Sequence, residues 1–381
     1  MRIVDQMLPS CLIIRDIRSL ATIMSDSNSE NFPVATVFGD VKTGSVRVQP
    51  IMHIARTISE LGADPAQVFA DAGIPADLFA KPENTISFQA LEDLLERCVA
   101  ATGCQHFGLL LGAGAIGNSF GVLGEIMQHC ADVGTAIAHF QQYFHLHDRG
   151  AMATRMIEGK EASLGYLLFD RNGRGVDQIN DGAIAIGMGL MRLLCGPKWQ
   201  PTAVLLSHRR PDDIHPYQQV FGCVPQFGVE QAALCFPARD FRRRIAGADR
   251  EKYALLSERL KTVATRSDLD FADQVRRVVR GLVAVRRCSL DEVAALFLMN
   301  RRRINRKLER QGTTFHQISQ EALCALAERL MCDTDMTLGE ISAMLNYAEA
   351  GVFARAFRGW RGVAPSEWRR THARNPGPGR S

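Results

Sequence analysis

The sequence predicts an α+β N-terminal domain followed by an all-α domain with two helix-turn-helix motifs joined by a linker helix. Three observations carry that reading. Helical apolar spacing dominates up to about residue 144 and then gives way to strand-like alternation around a Gly-Lys turn. From residue 271 to 372 the pattern is helical throughout. Within that last stretch a Ser/Thr-x-x-Glu capping pattern occurs twice, about 48 residues apart.

Taken in order, residues 1–45 lack a sustained period and carry the polar run Ser25-Asp26-Ser27-Asn28-Ser29-Glu30, so they read as a disordered extension, with Met24 an alternative start. Residues 46–245 form the α+β domain. Ile51, Ile54, Ile58 and Leu61 recur at helical spacing, as do Leu91, Leu94, Leu95 and Cys98. Gly62, Gly73-Ile74-Pro75 and Lys81-Pro82 punctuate these helices. A helix is expected over 133–144, a hairpin over 151–158 and 162–169 around Gly159-Lys160, a helix over 183–194 and a strand over 203–207. Residues 246–270 read as a connecting helix (249–263) and a linker at Thr265-Arg266-Ser267-Asp268, and 373–381 as a disordered tail.

Composition narrows the function classes. With 46% apolar and 23% charged residues among 381, the chain has the makeup of a water-soluble protein of two or three domains. No apolar run reaches the ~18–20 residues of a membrane span, and Asp5, Asp16 and Arg18 interrupt the opening stretch where a secretory leader would need an apolar core. The ten cysteines include no C-x-x-C pair, which points to a reducing cytoplasm and to thiols packed as small apolar groups, without a disulfide framework, metal or cofactor. The net charge of +4 is uneven: residues 271–374 hold 18 Lys/Arg against 11 Asp/Glu and Arg380 adds one more positive charge, leaving −4 for residues 1–270. A basic block beside a mildly acidic body suits a polyanionic partner.

Within that block Ser289-Leu-Asp-Glu292 starts a short helix whose Val293 and Ala294 face inward. Asn300 caps a second helix, 301–311, which stops at Gly312. Ile304 and Leu308 share its buried side; Arg302, Asn305 and Arg306 share the other, with Arg303 and Lys307 at the flanks. Arginine matches the guanine O6/N7 edge and asparagine the adenine edge, so such a helix suits a major groove. Thr337-Leu-Gly-Glu340 repeats the cap; Ile341 and Leu345 supply the apolar face and Asn346-Tyr347 the turn. Over 349–360, Phe353 and Phe357 point in while Arg355 and Arg358 point out. A helix over 318–331 joins the two pairs. A solvated cationic helix would account for the charges, but not for the capped helix and turn before it.

These pieces resemble the AraC family of bacterial transcription regulators over residues 271–372. The resemblance rests on Ser289-Leu-Asp-Glu-Val-Ala294, Met299-Asn-Arg-Arg-Arg-Ile-Asn-Arg-Lys-Leu308, Gly312-Thr-Thr-Phe315 and Phe353-Ala-Arg-Ala-Phe-Arg-Gly-Trp-Arg-Gly-Val-Ala-Pro-Ser-Glu-Trp368. It implies DNA contacts from Arg301, Arg302, Arg303, Asn305, Arg306 and Lys307, and from Ala350, Gly351, Arg355 and Arg358 in the second pair. Two departures stand out: Asn346 occupies a position where the family usually has Gly, and Cys324 one where it usually has Arg. Asparagine tolerates the left-handed turn, whereas losing the arginine removes a structural ion pair. Ala350-Gly351 is poor in base-reading groups, which shifts the second helix toward Arg355, phosphate contacts and DNA shape.

Residues 65–245 resemble the arabinose-binding-type sensor of ornithine-utilisation-type members, through Ala72-Gly-Ile74, His106-Phe-Gly-Leu-Leu-Leu-Gly112, Gly121-Val-Leu-Gly124 and Tyr217-Gln-Gln-Val-Phe-Gly-Cys-Val-Pro-Gln-Phe227. That implies a domain that binds a small effector and dimerises. Gly112-Ala-Gly-Ala-Ile-Gly117 matches a dinucleotide fingerprint in letters only, because its surroundings are helical. His145, His147 and Arg149 are the candidate effector contacts; the two histidines lack a third ligand at metal spacing. The acidic body slightly favours a cationic or zwitterionic effector such as an amino-acid derivative.

The expected function is a sequence-specific DNA-binding transcription regulator: a cytoplasmic homodimer controlled by a small molecule, activating a nearby metabolic operon through RNA polymerase, with no membrane partner and no enzymatic activity. The rivals are an enzyme or scaffold domain with an appended DNA anchor, and a constitutive DNA binder. Against the enzyme, no nucleophile, base and orienting group form a recognisable set.

Overall fold

The computed structural model describes residues 41–42, 44–115, 119–169, 173–266, 271–284, 288–297, 299–334 and 336–372. Most of the expected N-terminal extension and the 373–381 tail lie outside them. Ordered chain nonetheless begins before residue 46, since Val41 is buried and β1 (Ser45–Arg47) pairs antiparallel with β2 (Thr85–Ser87). Between these strands lie α1 (Ile54–Glu60) and α2 (Pro65–Asp71), the latter capped by Asp64. α3 (Phe88–Thr102) starts where Ser87 accepts from Ala90 N and stops at Gly103, whose φ of +68° ends the helix in the left-handed region. Ile54, Ile58, Leu91, Leu94, Leu95 and Cys98 are all buried, as their spacing requires.

α4 (Phe107–Ala113), α5 (Gly121–Gln128) and α6 (Val133–Tyr143) follow, then the hairpin of β3 (Ala151–Glu158) and β4 (Glu161–Leu168) in continuous register. α7 (Val176–Cys195) is a full twenty residues, well beyond the twelve expected. β5 (Ala203–Leu206), α8 (His215–Phe221), β6 (Gln226–Phe227) and β7 (Ala233–Pro237) complete a sheet of order β3-β4-β7-β5-β6, antiparallel except for β5 beside β6. β1, β2 and β6, of two or three residues, escaped the sequence reading because they are too short to show alternation, and β7 escaped it as well.

One apolar core lies between the sheet and α5, α6 and α7; another holds α1 to α4. α4 and α7 touch backbone to backbone. A Cβ on Gly108 would sit 2.1 Å from Gln178 O, and one on Gly112 2.2 Å from Gly182 O. Gly112, the first glycine of the dinucleotide look-alike, is therefore a helix-packing residue inside α4.

α9 (Arg250–Arg266) buries Leu256 and Leu260 in the sheet-side core and runs through Thr265 and Arg266, where a linker was expected; Ser267 and Asp268 lie outside the described residues. Beyond it every element is helical: α10 (Phe271–Ala284), α11 (Leu290–Leu296), α12 (Arg301–Glu309), α13 (Phe315–Asp333), α14 (Leu338–Met344), α15 (Ala350–Arg361) and α16 (Pro365–His372). Their apolar residues form two cores, one under α10 to α13 and one under α13 to α16. The first is shared with the sheet domain. Met152 and Leu167 of the hairpin join Phe271, Val275 and Val279, and Arg277 Nη1 donates to Arg149 O at 2.8 Å. The C-terminal domain's first core is therefore not self-contained: the hairpin covers one face of α10.

Candidate nucleic-acid interface and effector cavity

The cationic surface is assembled by caps. Ser289 Oγ accepts from Glu292 N to start α11, and Asn300 Oδ1 accepts from Arg303 N to start α12. Val293, Ala294, Ile304 and Leu308 are buried between the two helices and α10, which fixes the rotation of α12. Arg302, Arg303 and Arg306 are then exposed and without an ion-pair partner among the described residues, with Asn305 half-buried between them. Two candidates sit elsewhere. The Arg301 guanidinium is engaged by both carboxylate oxygens of Asp291 on α11. Lys307 turns back, its Nζ 4.6 Å from the centre of the Phe271 ring, and burial lowers its pKa. It is a packing residue on the α10 side of the helix.

The second pair repeats the construction with firmer caps. Thr337 and Glu340 exchange both capping-box hydrogen bonds. Asn346 makes the turn at φ +62°, the left-handed conformation that its substitution for the family's usual glycine demands. Phe353 and Phe357 are buried, leaving Arg355 and Arg358 exposed and Ala350-Gly351 at the open N-terminus of α15. Arg361 on α15 forms a two-pronged ion pair with Glu328 of α13 and lies 5.7 Å over Trp368. That contact clamps α15 to the joining helix, the role expected to be vacated at Cys324. Cys324 itself is packed, and burial raises its thiol pKa.

The candidate effector residues divide between two cavities. His145 and Arg149 line a small one of about 60 Å³ between the hairpin, α10 and Phe297. His147 lines a larger one of about 110 Å³ bounded by β1, α3, α4, α6, α7 and β4. Its walls are almost wholly apolar: Phe88, Leu91, Leu111, Phe144, Leu164 and Ile184 among them. The groups at its polar end are tightly specified. Asp148 Oδ1 accepts from Gly150 N and Ala151 N, and Oδ2 accepts from Tyr166 Oη at 2.8 Å. Burial pushes that carboxyl up to about 6 against the pull of these hydrogen bonds. Arg47 donates to Leu146 O and Glu83 O. His147 is 5% exposed, and burial with the charge of Arg47 drives its pKa down to about 3, so the ring is neutral. Its aromatic neighbours are Phe120 and Phe144.

A buried polar cluster escaped the sequence reading. Asp181, in the middle of apolar α7, receives Tyr217 Oη at 2.7 Å and lies 2.9 Å from His208 Nε2. Burial lowers the His208 pKa, but the bond and charge of Asp181 outweigh it and the net shift is upward. Its Nδ1 is 2.8 Å from Arg209 O, so both ring nitrogens are taken and none is left to activate a nucleophile. The cluster ties α7 to α8 and to the segment after β5. A single aspartate within an apolar helix gave no pattern by which to find it.

An all-helical basic domain with exposed arginines on a capped helix, joined to a mixed domain with an apolar cavity, defines a DNA-binding transcription regulator with an N-terminal ligand-binding domain. Residues 62–245 match the model for the arabinose-binding domain of AraC transcription regulators, and residues 293–371 match a helix-turn-helix domain. The HTH-type transcriptional regulator VirS of Mycobacterium tuberculosis is 24% identical over 329 residues, covering 85% of this chain and 96% of its own. The ornithine utilization regulator of Pseudomonas aeruginosa is 24% identical over 315 residues, covering 82% and 92%. The crystal structure of the regulator CdpR from Pseudomonas aeruginosa aligns with 83% of this chain and 97% of its own at 19% identity and a TM-score of 0.40. The chain belongs to the AraC family of transcription regulators. These relatives are regulators, not enzymes, and no helix among the described residues is long and apolar enough to cross a membrane.

Proposed function

We propose that the protein is a one-component, effector-controlled activator that reads operator DNA as a homodimer. Residues 46–245 bind the effector and dimerise, 246–270 connect, and 271–372 carry two helix-turn-helix motifs joined by α13. α12 and α15 enter successive major-groove turns, ~34 Å apart along the duplex. Arg302, Arg303, Asn305 and Arg306 contact DNA from the first motif; Arg355, Arg358 and the exposed start of α15 at Ala350-Gly351 contact it from the second. The observation that carries this reading is the repeated pair: a capped short helix fixing a second helix whose buried face is apolar and whose open face is arginine-rich. Operator occupancy recruits RNA polymerase to a metabolic operon beside the regulator's own gene.

Footprinting of the intact chain on DNA flanking its gene tests the proposal. Discrete protected blocks one helical turn apart, with reporter expression varying across carbon and nitrogen sources, are the expected result. Uniform, sequence-independent protection with constant expression would instead describe a constitutive DNA binder.

A further inference from the structure

From the cavity beside His147 we infer the chemical class of effector: a small, mostly apolar molecule, one aromatic ring or an equivalent branched chain, bearing one uncharged hydrogen-bonding group. The inference rests on the effector-controlled reading above and assigns that role to this cavity.

Size comes first. At about 110 Å³ the space is of the same order as an apolar cavity of ~150 Å³ that accommodates benzene. Gly182, Ala183 and Gly187 of α7 line the space and, with little or no side chain, leave it room. A sugar would bury four or five hydroxyls against Leu91, Leu111, Phe144, Leu164 and Ile184, each unpaired group costing ~1–3 kcal/mol.

Charge comes next. An ammonium group needs a carboxylate, and Asp148 has both oxygens committed to Gly150 N, Ala151 N and Tyr166 Oη. Gln178 is likewise committed, accepting from Gly108 N and donating to Gln105 O. Arg47 places a positive charge at the same end. The acidic body, which from sequence favoured a cationic or zwitterionic effector, does not extend to this cavity. The remaining polar side chain lining the cavity is the neutral His147 ring, which supplies one N–H and one lone pair and so matches a hydroxyl or carbonyl.

Phenol, toluene, benzylamine and arabinose, each added to the intact chain, separate the alternatives by thermal shift and by the methyl resonances of Leu111, Leu164 and Ile184. Phenol should raise the melting temperature and shift those methyls, toluene should do so more weakly, and benzylamine and arabinose should do neither. Ala183→Leu fills the space and should abolish the phenol response. His147→Phe keeps the ring packing against Phe120 and Phe144 and should weaken phenol about tenfold, the size of one hydrogen bond, while sparing toluene. A phenol shift that leaves the three methyls unmoved places the site elsewhere; should Ala183→Leu fold poorly, those methyl shifts decide the matter in the wild-type chain. Stabilisation by benzylamine or arabinose in preference to phenol overturns the class. Phenol binding in the cavity without any change in operator occupancy leaves the class standing and refutes effector control, whereas operator control by an amine or sugar does the reverse.

Discussion

The two helix pairs of the DNA-binding domain are built on one plan and differ in what surrounds them. The first, α11 and α12, shares its core with the sensor: Met152 and Leu167 pack against α10, and Arg277 donates to Arg149 O just before the hairpin. The second, α14 and α15, closes its own core with Ala327, Met331, Ile341, Leu345, Phe353 and Phe357, and touches the rest through α13. Their open faces differ in the same sense. α12 presents three free arginines and Asn305, while α15 presents two arginines and begins with Ala350-Gly351. We propose that the pair the sensor can reach is the one that reads bases and that the isolated pair holds the backbone.

The strongest way to break this comparison is Phe357→Ala. Removing a fully buried aromatic from so small a core should cost about 3–5 kcal/mol, abolishing exchange protection in α15 and α16 while α12 and the sensor retain theirs. Loss of protection in α12 as well would make the domain a single cooperative unit.

Acidification should act on the opposite side. His147 and His145 are held neutral by burial, with pKa values driven down to about 3 and about 4. The unfolded chain takes up their protons below its ordinary value of ~6.5 and the folded chain does not. Their contribution is therefore complete above pH 6.5 and is lost as pH falls toward 3. Asp148, raised to about 6, works the other way between its ordinary value and 6, with a smaller shift. Between pH 7 and 5 the sensor and α10 should lose exchange protection before α14 and α15 do, and His147→Phe should flatten the decline in melting temperature. A uniform loss, or an unchanged slope in the variant, contradicts the assignment.

Smaller effects sharpen the contrast within the second pair. Thr337→Ala removes the capping box and should destabilise that pair by about 1 kcal/mol in urea melts, with no change in α12. Asn346→Gly relieves the left-handed residue at φ +62° but loosens the unfolded chain, so its gain should not exceed about 1 kcal/mol. Destabilisation at Asn346→Gly would mean that its side chain makes a contact the turn needs.

Much of this architecture is legible in the sequence where local chemistry decides it. Ser289, Asn300 and Thr337 cap as their spacing requires, and Ile304 with Leu308 and Phe353 with Phe357 are buried because i, i+4 pairs share a helix face. The hairpin around Gly159-Lys160 is equally local. What escaped depends on partners far along the chain. Lys307 turns to Phe271 and Arg301 to Asp291, and no helical period distinguishes them from Arg303. His145, His147 and Arg149 seemed one cluster in sequence, yet the short turn after α6 sends His147 into one cavity and the other two into another. The cavity itself is formed by residues from Val46 to Gly187, so no single motif announces it.

The central claim, that the first pair reads sequence and the second holds the duplex, is tested most directly by paired titrations. Arg306→Ala and Arg355→Ala should each be measured on the footprinted operator and on random DNA at fixed salt. Arg306→Ala should cost about 1–3 kcal/mol on the operator and much less on random DNA, relaxing preference at one base pair. Arg355→Ala should weaken both by a similar, smaller factor and lower the salt slope by ~1. Equal losses on both DNAs for Arg306→Ala, or selective loss for Arg355→Ala, would contradict the account.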